Sequence, residues 1–139
     1  MHKSELKMRI TRDDCDPTET VFFPRYFAFC AAATGALFES VGLPKPLLQK
    51  TYAIAGYPVV EVSGSFYRPC TFGDDIVIES RIVQWGGASF RLVHRIRKGG
   101  ELAVEVREKR VWTVRHPNKH DALLSKPIPV EIKSRFNGV

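Results

Sequence analysis

Only one stretch of this chain reads as a long helix, and it is too apolar to lie on a surface. Pro24 suits the first helical position, where a missing amide hydrogen costs nothing, and Gly42 suits the C-terminal cap. Between them, Arg25 to Val41 makes about five turns at 3.6 residues each. On a wheel of about 100° per residue, Tyr26, Phe27, Cys30, Leu37, Phe38 and Val41 share one broad side. Ala28, Ala32 and Ala36 form a narrow opposite stripe, bracketed by Arg25 and Glu39. A helix that is apolar over most of its circumference has to be wrapped, and the rest of the chain offers a sheet for that purpose.

Lys7 to Thr11 is a short strand candidate. Tyr57 to Tyr67 carries Val60, Val62 and Phe66, and Asp75 to Trp85 alternates Ile76 and Ile78 with Ile82. Ser89 to Arg97 follows Gly86-Gly87, and Leu102 to Val114 follows Lys98-Gly99-Gly100-Glu101. Gly-Gly between strand-like runs signals a hairpin. His116-Pro117-Asn118 ends the sheet, and residues 116–139 form a C-terminal extension, rich in Lys and Pro, that packs as a short extra element or trails over the surface. The expected architecture is α+β: one domain over 1–139, an antiparallel sheet of about five strands curled around one central helix. One helix cannot cover both sheet faces and both sheet edges, so a homodimer or homotetramer is expected, with the alanine stripe allowing another surface to approach.

Composition narrows the function. With 44% hydrophobic and 26% charged residues, the chain has the profile of an ordinary globular protein. Its net charge of +6 suits anionic partners: nucleic acid, an acidic carrier protein, or a phosphorylated group such as coenzyme A. The longest apolar run, Tyr26 to Ala33, falls short of the roughly 20 residues that span a bilayer. The start, Met-His-Lys-Ser-Glu-Leu-Lys, has no apolar signal segment, so a cytoplasmic protein without a membrane partner is expected. Cys15, Cys30 and Cys70 are odd in number and widely spaced, which argues against a disulfide framework or a zinc ribbon. The four histidines form no ligand cluster, since Pro117 and Asn118 lie between His116 and His120, and no metal is expected.

The most heavily charged segment precedes the helix: Arg12-Asp13-Asp14-Cys15-Asp16-Pro17-Thr18-Glu19-Thr20. It puts four carboxylates within seven residues of one another. Capping and dipole compensation account for one or two of them. Mutual repulsion makes the full set costly unless some members are hydrogen-bonded or take part in chemistry. From these residues alone, structural and catalytic roles stand level.

Asp14-Cys15-Asp16-Pro17 followed by Val21-Phe22-Phe23-Pro24-Arg25-Tyr26 resembles the Asp-x-Asp loop and helix start of the 4-hydroxybenzoyl-CoA thioesterase family, the hotdog-fold acyl-CoA hydrolases. The likeness continues through Gly42-Leu43-Pro44, Ser63-Gly64-Ser65-Phe66, Asp74-Asp75, and Trp85 with Ser89-Phe90, in order, over roughly Arg9 to Trp112. It implies a hotdog fold and hydrolysis of a small acyl-CoA to free acid and coenzyme A, with no cofactor beyond the CoA of the substrate; locally, the rings of Phe22 and Phe23 beside the loop favour a compact or aromatic acyl group. By the same resemblance, Asp16 is the catalytic carboxylate, attacking the thioester carbonyl or activating water. Asp14 braces the loop, and the backbone amide of Phe23 polarises the thioester oxygen. Free amides in a helix's first turn, reinforced by its dipole, can hold that developing charge without a metal.

The sequence departs from the family pattern in three places. Asp13 stands where many relatives have Gly, Thr18-Glu19-Thr20 replaces smaller residues, and Gly86-Gly87-Ala88 lacks the basic hairpin residues that hold CoA phosphates in some relatives. Phosphate contacts then fall to Arg91, Arg95 and Lys98, with Arg68 and Arg97 beside them. Phe22, Phe23 and Tyr26 are the acyl-pocket candidates, being flat rings next to the loop. Cys15 has no histidine near it in sequence, and His94 reads as a mid-strand polar residue; neither is expected to be catalytic. Glu39 reads as a surface or subunit contact.

Rival functions remain. An acyl-carrier-protein thioesterase would exploit the basic surface. A hotdog hydratase pairs an acid with a histidine, and this chain has none between His2 and His94. A nucleic-acid-binding module is disfavoured because the basic residues are scattered and carry no stacking or Gly-rich motif.

Overall fold

In a computed structural model describing residues 2–137, the central helix is α1, Pro24–Ser40, which opens at the expected proline. It ends at Gly42, whose φ of +78° lets the Leu43 amide reach back to the Phe38 carbonyl at 2.9 Å, a turn that a side chain resists. Tyr26, Phe29, Cys30, Ala33, Leu37 and Phe38 are buried, whereas Ala28 and Ala32 face outward. The wheel therefore places the helix correctly, with Phe29 and Ala33 added to the buried side.

Five strands form one antiparallel sheet in the order β1-β3-β4-β5-β2: β1 Lys3–Arg9, β2 Val59–Phe66, β3 Asp75–Trp85, β4 Ser89–Lys98 and β5 Glu101–Val111. β1 lies nearer the N-terminus than Lys7 to Thr11, because pairing with β3 runs from Lys3 opposite Arg81 to Arg9 opposite Asp75. Two short strands, β6 Thr113–Arg115 and β7 Leu123–Ser125, make a separate hairpin. α2 Lys45–Tyr52 is an addition to the expected elements and buries Leu48, while α3 Val130–Asn137 is the short element in which the C-terminal extension packs, burying Ile132 and Phe136. At eight residues each they are too short to persist alone, so burial rather than propensity holds them.

The core between α1 and the sheet has two apolar halves. One, at the start of α1, gathers Ile10, Val21, Tyr26, Phe29, Ile76, Ile96 and Val104; the other gathers Leu37, Phe38, Tyr57, Phe90, Trp112, Ile132 and Phe136. A buried polar belt lies between them. Ser80 Oγ and His94 Nδ1 are 2.6 Å apart, His94 Nε2 and Glu108 Oε1 are 2.6 Å apart, and Arg110 donates to Glu108 at 3.1 Å. Burial pushes the Glu108 carboxyl up, but His94 and Arg110 outweigh it and hold the group below its ordinary value. β2 is the exposed edge: every residue from Val59 to Phe66 is open, including Val60, Val62 and Phe66. Among the described residues, no single helix is long and apolar enough to cross a membrane.

Candidate active site

The acidic loop folds into a tight hairpin ahead of α1. The Phe22 amide donates to the Asp14 carbonyl at 2.9 Å, Cys15 bridges Val21, and the Asp16 amide donates to the Thr20 carbonyl at 2.9 Å. Glu19, with φ of +66°, closes the turn by donating to the Asp16 carbonyl at 2.9 Å. The returning arm is clamped to residues 70–72, with Val21 donating to Cys70 and Phe72 to Glu19, each at 2.9 Å. Tyr26 ties the helix to the same segment by accepting a hydrogen bond from the Cys70 amide at 3.2 Å.

The two aspartates of the motif have different surroundings. Asp14 is buried. One of its oxygens accepts from the Thr11 amide and hydroxyl at 2.9 and 3.0 Å, and the other from two Arg25 nitrogens at 3.2 and 2.8 Å. Burial alone would raise its carboxyl, but Thr11 and Arg25 more than offset that, and the net shift is downward. Asp16 is exposed at the hairpin tip. Its Oδ1 accepts from the Thr18 hydroxyl, the Thr18 amide at 2.9 Å and the Thr20 amide at 3.4 Å, while Oδ2 takes none of these bonds. The Thr18 hydroxyl leads the causes that hold Asp16 below the ordinary aspartate value, so it is ionised with one oxygen open.

Where the hairpin meets α1, the Phe22, Arg25 and Tyr26 amides are engaged and Pro24 has none. Among the described residues, the Phe23 amide donates to no protein acceptor. Beside it opens a cleft of about 310 Å³, lined by Thr20, Val21, Phe23, Tyr26, Phe66, Tyr67, Arg68 and Pro69. Thr20 links this cleft to Asp16 through its amide. Phe23 and Tyr26 line the cleft as expected, with Phe23 exposed and Tyr26 buried. Phe22 does not line it: its exposed ring turns edge-on to Phe23, 5.9 Å between centroids. Phe66, Tyr67 and Arg68 join the lining although no local sequence signal marks them as pocket residues, because the fold alone brings the end of β2 against the loop.

Four of the five cations expected to meet phosphates are paired instead. Arg91 contacts Glu61 at 3.3 Å, Arg95 contacts Glu105 at 3.2 Å, and Lys98 contacts Asp74 at 2.8 Å; Arg68 contacts Glu101 at 2.6 Å. Arg91, Arg95 and Arg97 alternate with the inward-facing Leu92, His94 and Ile96, which puts them on the sheet face away from α1. Arg68 lines the cleft itself, and Lys98 reaches its rim, 3.4 Å from the carbonyl of Pro69. His94 is wholly buried in the polar belt and lines none of the clefts described here. Cys15 donates weakly to the Thr11 carbonyl at 3.4 Å, and burial with its acidic neighbours pushes its thiol up, opposite to what a nucleophilic cysteine needs. Glu39 is exposed near the end of α1. Among the described residues, no group of three or more His, Cys, Asp or Glu is placed to hold a metal ion.

Comparison with known proteins identifies the family and the fold. The family model described as the thioesterase-like superfamily matches residues 10–136. A 4-hydroxybenzoyl-CoA thioesterase from Pseudomonas sp. (strain CBS-3) is 32% identical over 133 residues, covering 91% of this chain and 92% of that protein. The solved structure of a 4-hydroxybenzoyl-CoA thioesterase from that strain superposes with a TM-score of 0.88 at 27% identity, over 97% of this chain and 99% of the other. A gentisyl-coenzyme A thioesterase superposes with a TM-score of 0.81 at 28% identity, over 96% and 99%. The five-stranded sheet around α1 is the hotdog fold.

Proposed function

The chain belongs to the thioesterase-like superfamily of thioester hydrolases, and from that premise we propose that it cleaves a compact aromatic acyl-CoA to free acid and coenzyme A, with Asp16 as the catalytic carboxylate. One observation carries the reading. An ionised Asp16, held through a single oxygen, stands on the hairpin that delivers the free Phe23 amide to a cleft walled by aromatic rings.

The chemistry follows from those groups. The open oxygen of Asp16 attacks the thioester carbonyl or takes a proton from an attacking water. The carbonyl electron pair moves onto oxygen, where the Phe23 amide and the N-terminal end of the α1 dipole receive the charge. Collapse expels coenzyme A as thiolate, and one water is consumed overall. Asp14 touches neither carbonyl nor water in this scheme; it holds the hairpin. Coenzyme A enters as part of the substrate, water is the second reactant, and the catalytic groups in the scheme belong to the protein.

The proposal includes a homodimer joined through the open β2 edges, and the outward alanine stripe of α1 would serve a tetramer. Unpaired Cys15, Cys30 and Cys70 fit a reducing cytoplasm. The relatives named for 4-hydroxybenzoyl-CoA and gentisyl-CoA support the aromatic assignment, as do Phe23, Tyr26, Phe66 and Tyr67 around the cleft. A thiol-release screen over benzoyl-, phenylacetyl-, butyryl- and palmitoyl-CoA, with acyl-carrier-protein thioesters beside them, tests it. The aromatic CoA thioesters should give the highest kcat/KM. A palmitoyl preference above about tenfold would contradict the compact pocket, and a carrier-protein preference of that size would contradict CoA as the carrier.

A further inference from the structure

One residue of the aromatic cleft has no part in the scheme above. Among the described residues that line this cleft, Arg68 is the one permanently charged side chain, and no carboxylate lines it. The cleft opens in a fork between two arms. The returning arm of the hairpin is joined to the segment after β2 by the Thr20–Thr71 bridge and by the Val21 amide, which donates to the Cys70 carbonyl at 2.9 Å. Beyond those links one arm runs on to Phe23 and α1, and the other runs back through Pro69 to Arg68. Thr20, whose amide reaches Asp16, marks the joined end; Phe23 and Arg68 belong to the separate arms.

The backbone of Arg68 is fixed while its head is exchangeable. The Tyr67 and Arg68 amides both donate to the Ala103 carbonyl, at 2.8 and 3.1 Å, and the following Pro69 favours an extended Arg68 backbone. Among the described residues the guanidinium makes one polar contact, to Glu101 at 2.6 Å, with both side chains 58% exposed. Solvent screens such a pair, so it is given up at little cost. Glu101 lies outside the cleft lining and contacts no other side chain by hydrogen bond or ion pair among the described residues. Lys98 at the rim differs: Asp74, which holds it at 2.8 Å, is itself anchored by the Thr71 amide and hydroxyl.

A planar guanidinium with spare donors is matched by a carboxylate, which takes two parallel hydrogen bonds from it. The phosphates of coenzyme A do not serve here, because the whole pantetheine arm separates them from the carbonyl that the Phe23 amide receives. We propose that Arg68 leaves Glu101 to clamp a carboxylate carried on the ring of the acyl group, so that the preferred substrates are CoA monothioesters of aromatic dicarboxylic acids. This rests on the thioesterase reading above and narrows its substrate class. Tyr26 and Phe66, 5.6 Å between ring centroids, flank the acyl ring, and Arg68 offsets the repulsion that the ionised Asp16 exerts on a second carboxylate.

The experiment measures kcat/KM for 3- and 4-carboxybenzoyl-CoA against benzoyl-CoA and the uncharged 4-carbamoylbenzoyl-CoA. The proteins are native, Arg68→Met and Glu101→Gln, each shown to be folded by its unfolding midpoint. Calorimetric titration with the free acids isophthalate and terephthalate runs alongside. The native protein should prefer the better carboxybenzoyl thioester over both uncharged ones. In Arg68→Met that preference should fall by at least about tenfold, the scale of a lost charge-assisted hydrogen bond. In Glu101→Gln it should rise roughly two- to fivefold, because the competing carboxylate is gone. A purely structural Arg68–Glu101 pair gives no such rise, and its absence overturns the proposal. So does a native protein without preference for the charged thioesters, or a preference that survives in Arg68→Met. If no thioester is hydrolysed while the native protein binds the dicarboxylates and Arg68→Met does not, the Arg68 assignment stands and the thioesterase reading fails. If nothing is hydrolysed and neither dicarboxylate binds, both fail.

Discussion

Replacing Asp14 with Asn separates bracing from chemistry within one loop. The substitution keeps the shape and leaves one oxygen able to accept from Thr11, but it turns an amide NH2 toward the Arg25 guanidinium. Hydrogen bonds to charged groups contribute about 1.5–3 kcal/mol when buried. Arg25 is 46% exposed, so solvent screening reduces its share to about 1 kcal/mol. Stranding a buried NH2 against a cation adds about 1 kcal/mol more. A loss of about 2 kcal/mol at this chain length corresponds to a Tm lower by roughly 6–8 °C. Thermal and urea unfolding at fixed protein concentration measure the loss, and thiol release well below the transition should stay within about threefold of native.

The acid side offers a second reading of the same variant. Asp14 has a depressed carboxyl in the folded state, so its stabilisation is complete above the ordinary aspartate value and is lost as pH falls through the depressed one. Asp14→Asn should flatten that part of the stability profile. The reasoning is refuted if Asp14→Asn unfolds at the native midpoint while its turnover collapses; the two aspartates would then have exchanged roles.

Three further outcomes are expected. Thr18→Val removes the hydroxyl that leads the lowering of Asp16, so the acid limb of the kcat/KM profile should move to higher pH, whereas an unmoved limb would detach that limb from Asp16. Val62→Lys places a charge in the middle of the exposed β2 edge and should shift sedimentation from dimer toward monomer, with activity falling alongside; a native protein that sediments as a fully active monomer contradicts the edge pairing. Phe23→Ala keeps the backbone amide but removes a cleft ring, so selectivity for benzoyl- over butyryl-CoA should drop while butyryl turnover persists.

How far the sequence reveals this molecule depends on which contacts are local. α1 is legible because seventeen residues repeat an apolar period between a proline and a glycine. β3 and β4 are legible because one face is buried along much of each strand. β1 is harder: its edge position leaves alternate residues only half-buried, which blurs the pattern of Lys-Ser-Glu-Leu-Lys-Met-Arg. α2 and α3 are too short to show a period, and only the tertiary contacts of Leu48, Ile132 and Phe136 reveal them.

The candidate site divides in the same way. The Asp14–Asp16 loop and the Phe23 amide are consecutive in sequence and could be read directly. Phe66, Tyr67 and Arg68 reach the cleft through sheet registration, and in a second cleft Lys45 meets Arg110 and Arg115 only because the start of α2 folds against β5 and β6. A local signal did exist for the buried belt. Ser80 and His94 each occupy an inward parity between apolar neighbours, and Glu108 lies between Val106 and Arg110 on the same face, but their meeting depends on the register of three strands.

The central claim is that the Asp16 carboxylate performs the hydrolysis, and Asp16→Asn tests it most directly. The exposed side chain takes its three bonds on one oxygen, which an asparagine carbonyl can reproduce, so the fold should survive. Steady-state thiol release from benzoyl-CoA, on variant protein shown to be folded by its unfolding midpoint, is the measurement. Turnover should fall by at least about 100-fold, the scale of losing a positioned acid–base or nucleophilic group. A folded Asp16→Asn protein that turns over near the native rate would contradict the account.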